Sequence, residues 1–106
     1  MVTEERQANI LQGLQNLLEK QIELTRRGGS DSARFEHLNK QADVLVKWIA
    51  QSKILRQDRF GGNKEKLART YDELCLAIKA EQREIAESLG KVRKGRKTIS
   101  AYKQNL

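Results

Sequence analysis

The sequence predicts an all-α fold: an up-down-up antiparallel three-helix bundle whose long C-terminal helix extends past the other two. Three observations carry this. Proline is absent from all 106 residues. Ala, Leu, Glu, Lys, Gln and Arg dominate, and their side chains lose little freedom on a helix. Apolar residues recur at helical spacing along most of the chain, and no segment alternates as a half-buried strand does. Charged residues make up 33% and aromatics 5%, a profile of long helices or coiled coils. The length suits one domain with a modest core, with helices at about 3–27, 31–59 and 63–103.

The first helix is expected to start at Thr3, whose hydroxyl can accept from a free backbone N–H. Glu4 and Glu5 then sit in the positive first turn. Ile10, Leu11, Leu14, Leu17, Leu18 and Ile22 form its apolar stripe. Arg26 and Arg27 suit its negative end, and Gly28-Gly29 stops it, because glycine enters the left-handed cap without strain. Ser30 or Asp31 is the expected cap of the second helix. Phe35, Leu38, Ala42, Leu45 and Ile49 give it a heptad stripe, widened by Val44, Trp48 and Leu55 as a helix with two neighbours requires. Trp48 has two readings: part of that second face, or an exposed anchor for a partner.

Phe60-Gly61-Gly62 is the expected second break and Asn63 the cap of the third helix. Short links favour antiparallel neighbours. In the third helix Tyr71, Leu74, Ile78, Ile85, Val92, Ile99, Tyr102 and Leu106 fall on one ladder. At 1.5 Å per residue this helix is about 60 Å long against about 40 Å for the second. Everything beyond residue 91 is then expected to overhang by about 20 Å, with Gly90 or Gly95 as places where it bends or frays.

Charge changes at the same point. Residues 1–90 hold 15 Lys/Arg and 14 Asp/Glu, whereas residues 91–106 hold Lys91, Arg93, Lys94, Arg96, Lys97 and Lys103 with no acid. An uncovered apolar ladder flanked by cations predicts a partner-facing extension. Its binding set is Leu89, Val92, Arg96, Ile99, Tyr102 and Leu106.

Catalytic signatures are missing. One histidine, His37, and one cysteine, Cys75, stand 38 positions apart, which offers no zinc-type ligand spacing. The glycine pairs lack the Lys-Ser/Thr of a phosphate loop. Ser30, Ser32 and Ser52 have no base at plausible spacing. The expectation is a protein without enzymatic activity, cofactor or metal. A single cysteine forms no internal disulfide. No apolar run approaches the roughly 20 residues that span a bilayer, so membrane insertion is not expected. The polar, acid-led opening is unlike a secretory leader, which points to the cytoplasm.

The pattern resembles the flagellar type III export chaperones of the FlgN/FliT type. The resemblance lies in Ile10-Leu11-x-x-Leu14-x-x-Leu17-Leu18-Glu19-Lys20-Gln21-x-x-Leu24, then in the break Gly28-Gly29-Ser30-Asp31. It continues with Phe35-x-x-Leu38 and Leu45–Ile49, and closes on Gly95-Arg96-Lys97-x-Ile99-Ser100-Ala101-Tyr102. It implies a small cytosolic helical chaperone that binds the C-terminal amphipathic helix of a late flagellar subunit, a hook–filament junction or cap protein. Delivery to the export gate follows, and Tyr102 is similar to a tyrosine implicated there in gate docking. Two other classes fit the residues: a structural coiled-coil protein that homodimerises through its tail, and a bundle that binds nucleic acid through its basic end.

Overall fold

The structure, a computed structural model, describes residues 4–28, 32–80 and 86–104, with backbone alone at 4, 86–88, 103 and 104. Among these residues there are four α-helices and no strand: α1 (Glu4–Arg26), α2 (Ala33–Ser52), α3 (Gly61–Ala80) and α4 (Ala86–Gln104). The all-helical class is as expected. The single long third helix is not. The ladder is divided between α3 and α4, and α4 packs along α3 and α2 instead of projecting beyond them. The longest dimension of the molecule is 41 Å, which leaves no room for a helix of about 60 Å.

The physical reason is burial. An overhang would leave Val92 and Ile99 in water, whereas in the folded-back arrangement they are 1% and 0% exposed. Each such side chain contributes about 1.5–3 kcal/mol when buried. Four polar residues, Glu81-Gln82-Arg83-Glu84, separate the two halves of the ladder, and Glu81 stands where the ladder calls for an apolar side chain. Residues 81–85 lie outside the described set, as do Thr3, Ser30, Asp31 and Leu106.

The element boundaries also differ from expectation. Gly28, at φ 81°, takes the left-handed conformation after α1 as anticipated. The cap of α2 is Ser32, whose hydroxyl accepts from the Phe35 N–H at 3.1 Å. Helix α2 stops at Ser52, not near Arg59. Lys53 adopts the left-handed region at φ 57°, and its N–H reaches the Ile49 carbonyl at 3.0 Å. Two short 3-10 turns follow, Ile54–Arg56 and Asp58–Phe60, because Ile54, Leu55 and Phe60 turn inward and seal that end of the core. The break therefore precedes the glycine pair. Gly61 is already helical at φ −57° and Asn63 lies inside α3 rather than capping it. Left-handed backbone costs a β-carbon-bearing residue about 1–2 kcal/mol. Lys53→Gly is accordingly expected to raise stability by about 1 kcal/mol, read as a higher urea midpoint at unchanged slope.

Side-chain pairs fix the relative directions. Gln21 reaches Asn39, and Gly13 lies against Leu45, so α1 and α2 are antiparallel. Gln15 bonds Thr70 and Arg26 pairs with Glu73, so α1 and α3 run the same way. Lys91 pairs with Glu36 and Tyr102 reaches Ala50, so α4 follows α2. The core joins Leu11, Leu14, Leu18 and Ile22 to Phe35, Ala42, Val46 and Ile49, and both groups to the α3–α4 ladder.

One interface is partly polar. Gln15 Nε2 donates to Thr70 Oγ1 at 2.8 Å and to Glu19 Oε1 at 3.0 Å, and Gln21 Nε2 donates to Asn39 Oδ1 at 3.4 Å. Both glutamines are nearly fully buried on α1.

Candidate functional site

The structure places the described members of the expected binding set on one helix, α4, and turns most of them inward. Val92 and Ile99 belong to the core, and Leu89 and Tyr102 are partly buried against it. The open ladder expected at residues 91–106 is corrected accordingly; Leu106 lies outside the described residues. Arg96 stays half exposed, with its Nε donating to Asp72 Oδ1 at 2.5 Å. The Tyr102 hydroxyl donates to the Ala50 carbonyl at 3.3 Å. Carbonyls in the last turn of a helix have no intrahelical donor, so Tyr102 serves as a tertiary cap for α2.

The glycines of α4 act differently from expectation too. A β-carbon at Gly90 would meet nothing, but one at Gly95 would stand 2.7 Å from Tyr71 Oη and 3.1 Å from two ring carbons. Gly95 is a close-approach position, not a bend.

The cations of α4 whose side chains are described divide into two groups. Lys91 is tied to Glu36 of α2 and Arg96 to Asp72 of α3. The Lys91 ammonium hydrogen-bonds the Glu36 carboxylate and holds its pKa below the usual value. Arg93, Lys94 and Lys97 are exposed and lie outside these two ties, Lys94 along the edge of the α2–α4 groove. Cys75 is buried, and that burial pushes its thiol up despite the nearby Arg96 and Arg93. A thiol so held is a poor nucleophile. Among the described residues no three of His, Cys, Asp or Glu are placed to hold a metal. No described helix is long and apolar enough to cross a membrane.

An open apolar surface lies elsewhere, between α1 and α2. Ile10, Gly13, Leu45 and Trp48 line a shallow groove of about 410 Å³, with Arg6 and Asn9 on its rim. Trp48 is half-buried: it packs against the core and also lines the groove. Val44, beside Leu45 and one turn before Trp48, is 64% exposed. Leu76 is 67% exposed and lies with Ala77 and Ala80 at the far end of α1 and α3.

Gly13 was not singled out from the sequence, although a lone glycine inside a helical pattern signals something. A β-carbon there would sit 3.6 Å from Leu45 Cδ1, in ordinary contact. The helices therefore do not need this glycine to approach each other. Its effect is to keep the groove floor low between Ile10 and Leu45.

A second groove, between α2 and α4, is lined by Lys40, Asp43, Tyr71, Lys91, Lys94 and Gly95, among others. Burial, and then the Asp43 charge, push the Tyr71 phenol well above its usual pKa, so it remains a hydroxyl.

No protein-family model, curated protein or solved structure matches this chain.

Proposed function

We propose that this chain is a non-catalytic, cytosolic helix-binding protein of the export-chaperone kind it resembles. It receives the C-terminal amphipathic helix of a late flagellar subunit in the α1–α2 groove and passes it to the export gate. The observation that carries the reading is the half-buried Trp48 on the apolar floor it shares with Ile10, Gly13 and Leu45, with the exposed Val44 one turn before it on α2. Such grooves accept the apolar face of a partner helix, and tryptophan is enriched among the residues that dominate interface energetics. The binding surface is thereby moved from the α4 ladder to α1 and α2. The exposed Arg93, Lys94 and Lys97 raise the encounter rate with acidic partners.

Trp48 is the only tryptophan, so the chain reports its own occupancy. Titration with a C-terminal helical peptide from a hook–filament junction or cap subunit is expected to shift the Trp48 emission to the blue and to saturate. Val44→Lys, which places a charge one turn before Trp48, and Gly13→Leu, which fills the floor, are each expected to weaken binding about tenfold. An emission spectrum unchanged by every such peptide overturns the reading.

A nucleic-acid reading rests on the same three exposed cations of α4. Its mark is affinity that falls steeply with salt. Lys94→Ala with Lys97→Ala is expected to reduce that slope while leaving peptide binding at the groove intact.

A further inference from the structure

The α2–α4 groove has a polar group on its floor, the hydroxyl of the largely buried Tyr71. Tyr71 is 3% exposed, and its hydroxyl rests against Gly95 where both line the groove. That hydroxyl is not among the buried polar atoms shut off from both solvent and a partner, so it stays open to the groove. Gly95 makes this geometry possible, since a β-carbon there would crowd the hydroxyl at 2.7 Å.

The walls supply charge of one sign in excess. Glu36 is tied to Lys91, and Asp43 Oδ2 lies 3.1 Å from Lys47 Nζ. Lys40 on the α2 wall, which acts on Glu36 through space, and Lys94 on the α4 wall stand outside these ion pairs and give the lining a net positive charge, against which the Asp43 charge reaches the Tyr71 hydroxyl. Two ammonium groups on opposite walls, with a neutral hydroxyl donor beneath them, match a compact dianion better than a single carboxylate. A phosphomonoester carries about −1.5 to −2 charge at neutral pH and three strong acceptor oxygens. The groove volume of about 300 Å³ is more than inorganic phosphate fills and lies at the lower end of small-molecule sites.

We propose that the α2–α4 groove binds a phosphomonoester, with Lys40 and Lys94 contacting its oxygens from the two walls and the Tyr71 hydroxyl donating to it from the floor. The phosphate group belongs either to a free small molecule or to a phosphorylated side chain of a partner. The site is separate from the α1–α2 groove and stands or falls independently of the helix-binding reading.

The test is a titration of the isotope-labelled full chain, followed by amide shifts, with O-phosphoserine, a phosphoserine peptide and inorganic phosphate. Succinate serves as a dianion of different shape. Saturable shifts are expected at Lys40, Asp43, Lys94 and Gly95 with at least one phosphomonoester, and weaker ones with succinate. Tyr71→Phe removes only the floor hydroxyl and is expected to weaken binding about fivefold. Lys40→Ala with Lys94→Ala is expected to weaken it more than about tenfold. Lys66→Ala with Lys79→Ala, which removes exposed cations of α3, is expected to leave it unchanged, as is Val44→Lys. Saturation by free phosphoserine identifies a small-molecule ligand, and saturation by the peptide alone a phosphorylated partner; both uphold the site. Shifts that spread over every lysine without saturating, or saturable binding indifferent to Tyr71→Phe and to the Lys40/Lys94 pair, overturn it.

Discussion

Ile99→Asp is expected to unfold the bundle rather than to disable an exposed surface. Ile99 is 0% exposed and packed in the common core. Truncating a fully buried aliphatic side chain costs about 2–5 kcal/mol, and an unpaired carboxylate added to the same place costs more unless it takes up a proton. A domain of this size has about 5–15 kcal/mol of total stability, so most of it is lost. The measurement is urea unfolding followed by far-UV circular dichroism. Ala101→Asp, on the exposed side of the same helix, controls for charge and helix propensity and is expected to change stability by less than about 0.5 kcal/mol. A folded Ile99→Asp protein of near-native stability would show that α4 projects into solvent after all.

Two alanine substitutions five residues apart on α4 are expected to act in opposite directions. Gly90→Ala meets no neighbouring atom, and replacing glycine by alanine inside a helix stabilises by about 0.5–1 kcal/mol. Gly95→Ala gains the same helix term but places its β-carbon 2.7 Å from Tyr71 Oη. Tyr71 is enclosed, so the ring cannot retreat cheaply, and overpacking of this kind costs about 1–3 kcal/mol. Combining Gly95→Ala with Tyr71→Phe removes the closest atom but leaves ring carbons at 3.1 Å. The pair should therefore recover part of the loss, a coupling that a double-mutant cycle isolates. Equal effects at positions 90 and 95 would contradict the packing of α4 on α3.

How much of this was legible in the sequence follows from what periodicity encodes. Leu11, Leu14, Leu18 and Ile22, then Phe35, Leu38, Ala42 and Ile49, then Tyr71, Leu74, Ile78, Val92 and Ile99 were all marked by spacing, and all are buried. Spacing tells which face of a helix is covered but not what covers it. From Ile78 the ladder continues at 85, 92 and 99, every seven residues, and that phase survives a reversal of the chain between α3 and α4. The fold-back was therefore silent, since a continuous helix and a folded pair share the same pattern. The glycines misled for a related reason. Glycine is permitted in a break but does not compel one. The chain turned instead at Lys53, where inward-facing Ile54, Leu55 and Phe60 outweighed the conformational cost. The α1–α2 groove depended on Gly13 lying opposite Leu45, a juxtaposition across two helices that no single stretch of sequence announces.

The polar contacts on α1 determine alignment more than stability. The hydrophobic stripe alone would tolerate sliding: moving α1 by four residues puts Leu14 where Leu18 was and Leu18 where Ile22 was, with side chains of similar size. The same slide would bring Leu11 opposite the Thr70 hydroxyl in place of Gln15, and Leu17 opposite Asn39 in place of Gln21. Thr70 would keep only its bond to the Lys66 carbonyl at 2.8 Å, and Asn39 would lose its partner on α1, a loss of about 1–3 kcal/mol for a buried group left unpaired. Gln15 and Gln21 thus work as a two-pin key that admits one vertical setting of α1, holding the floor and the wall of its outer groove at matching heights.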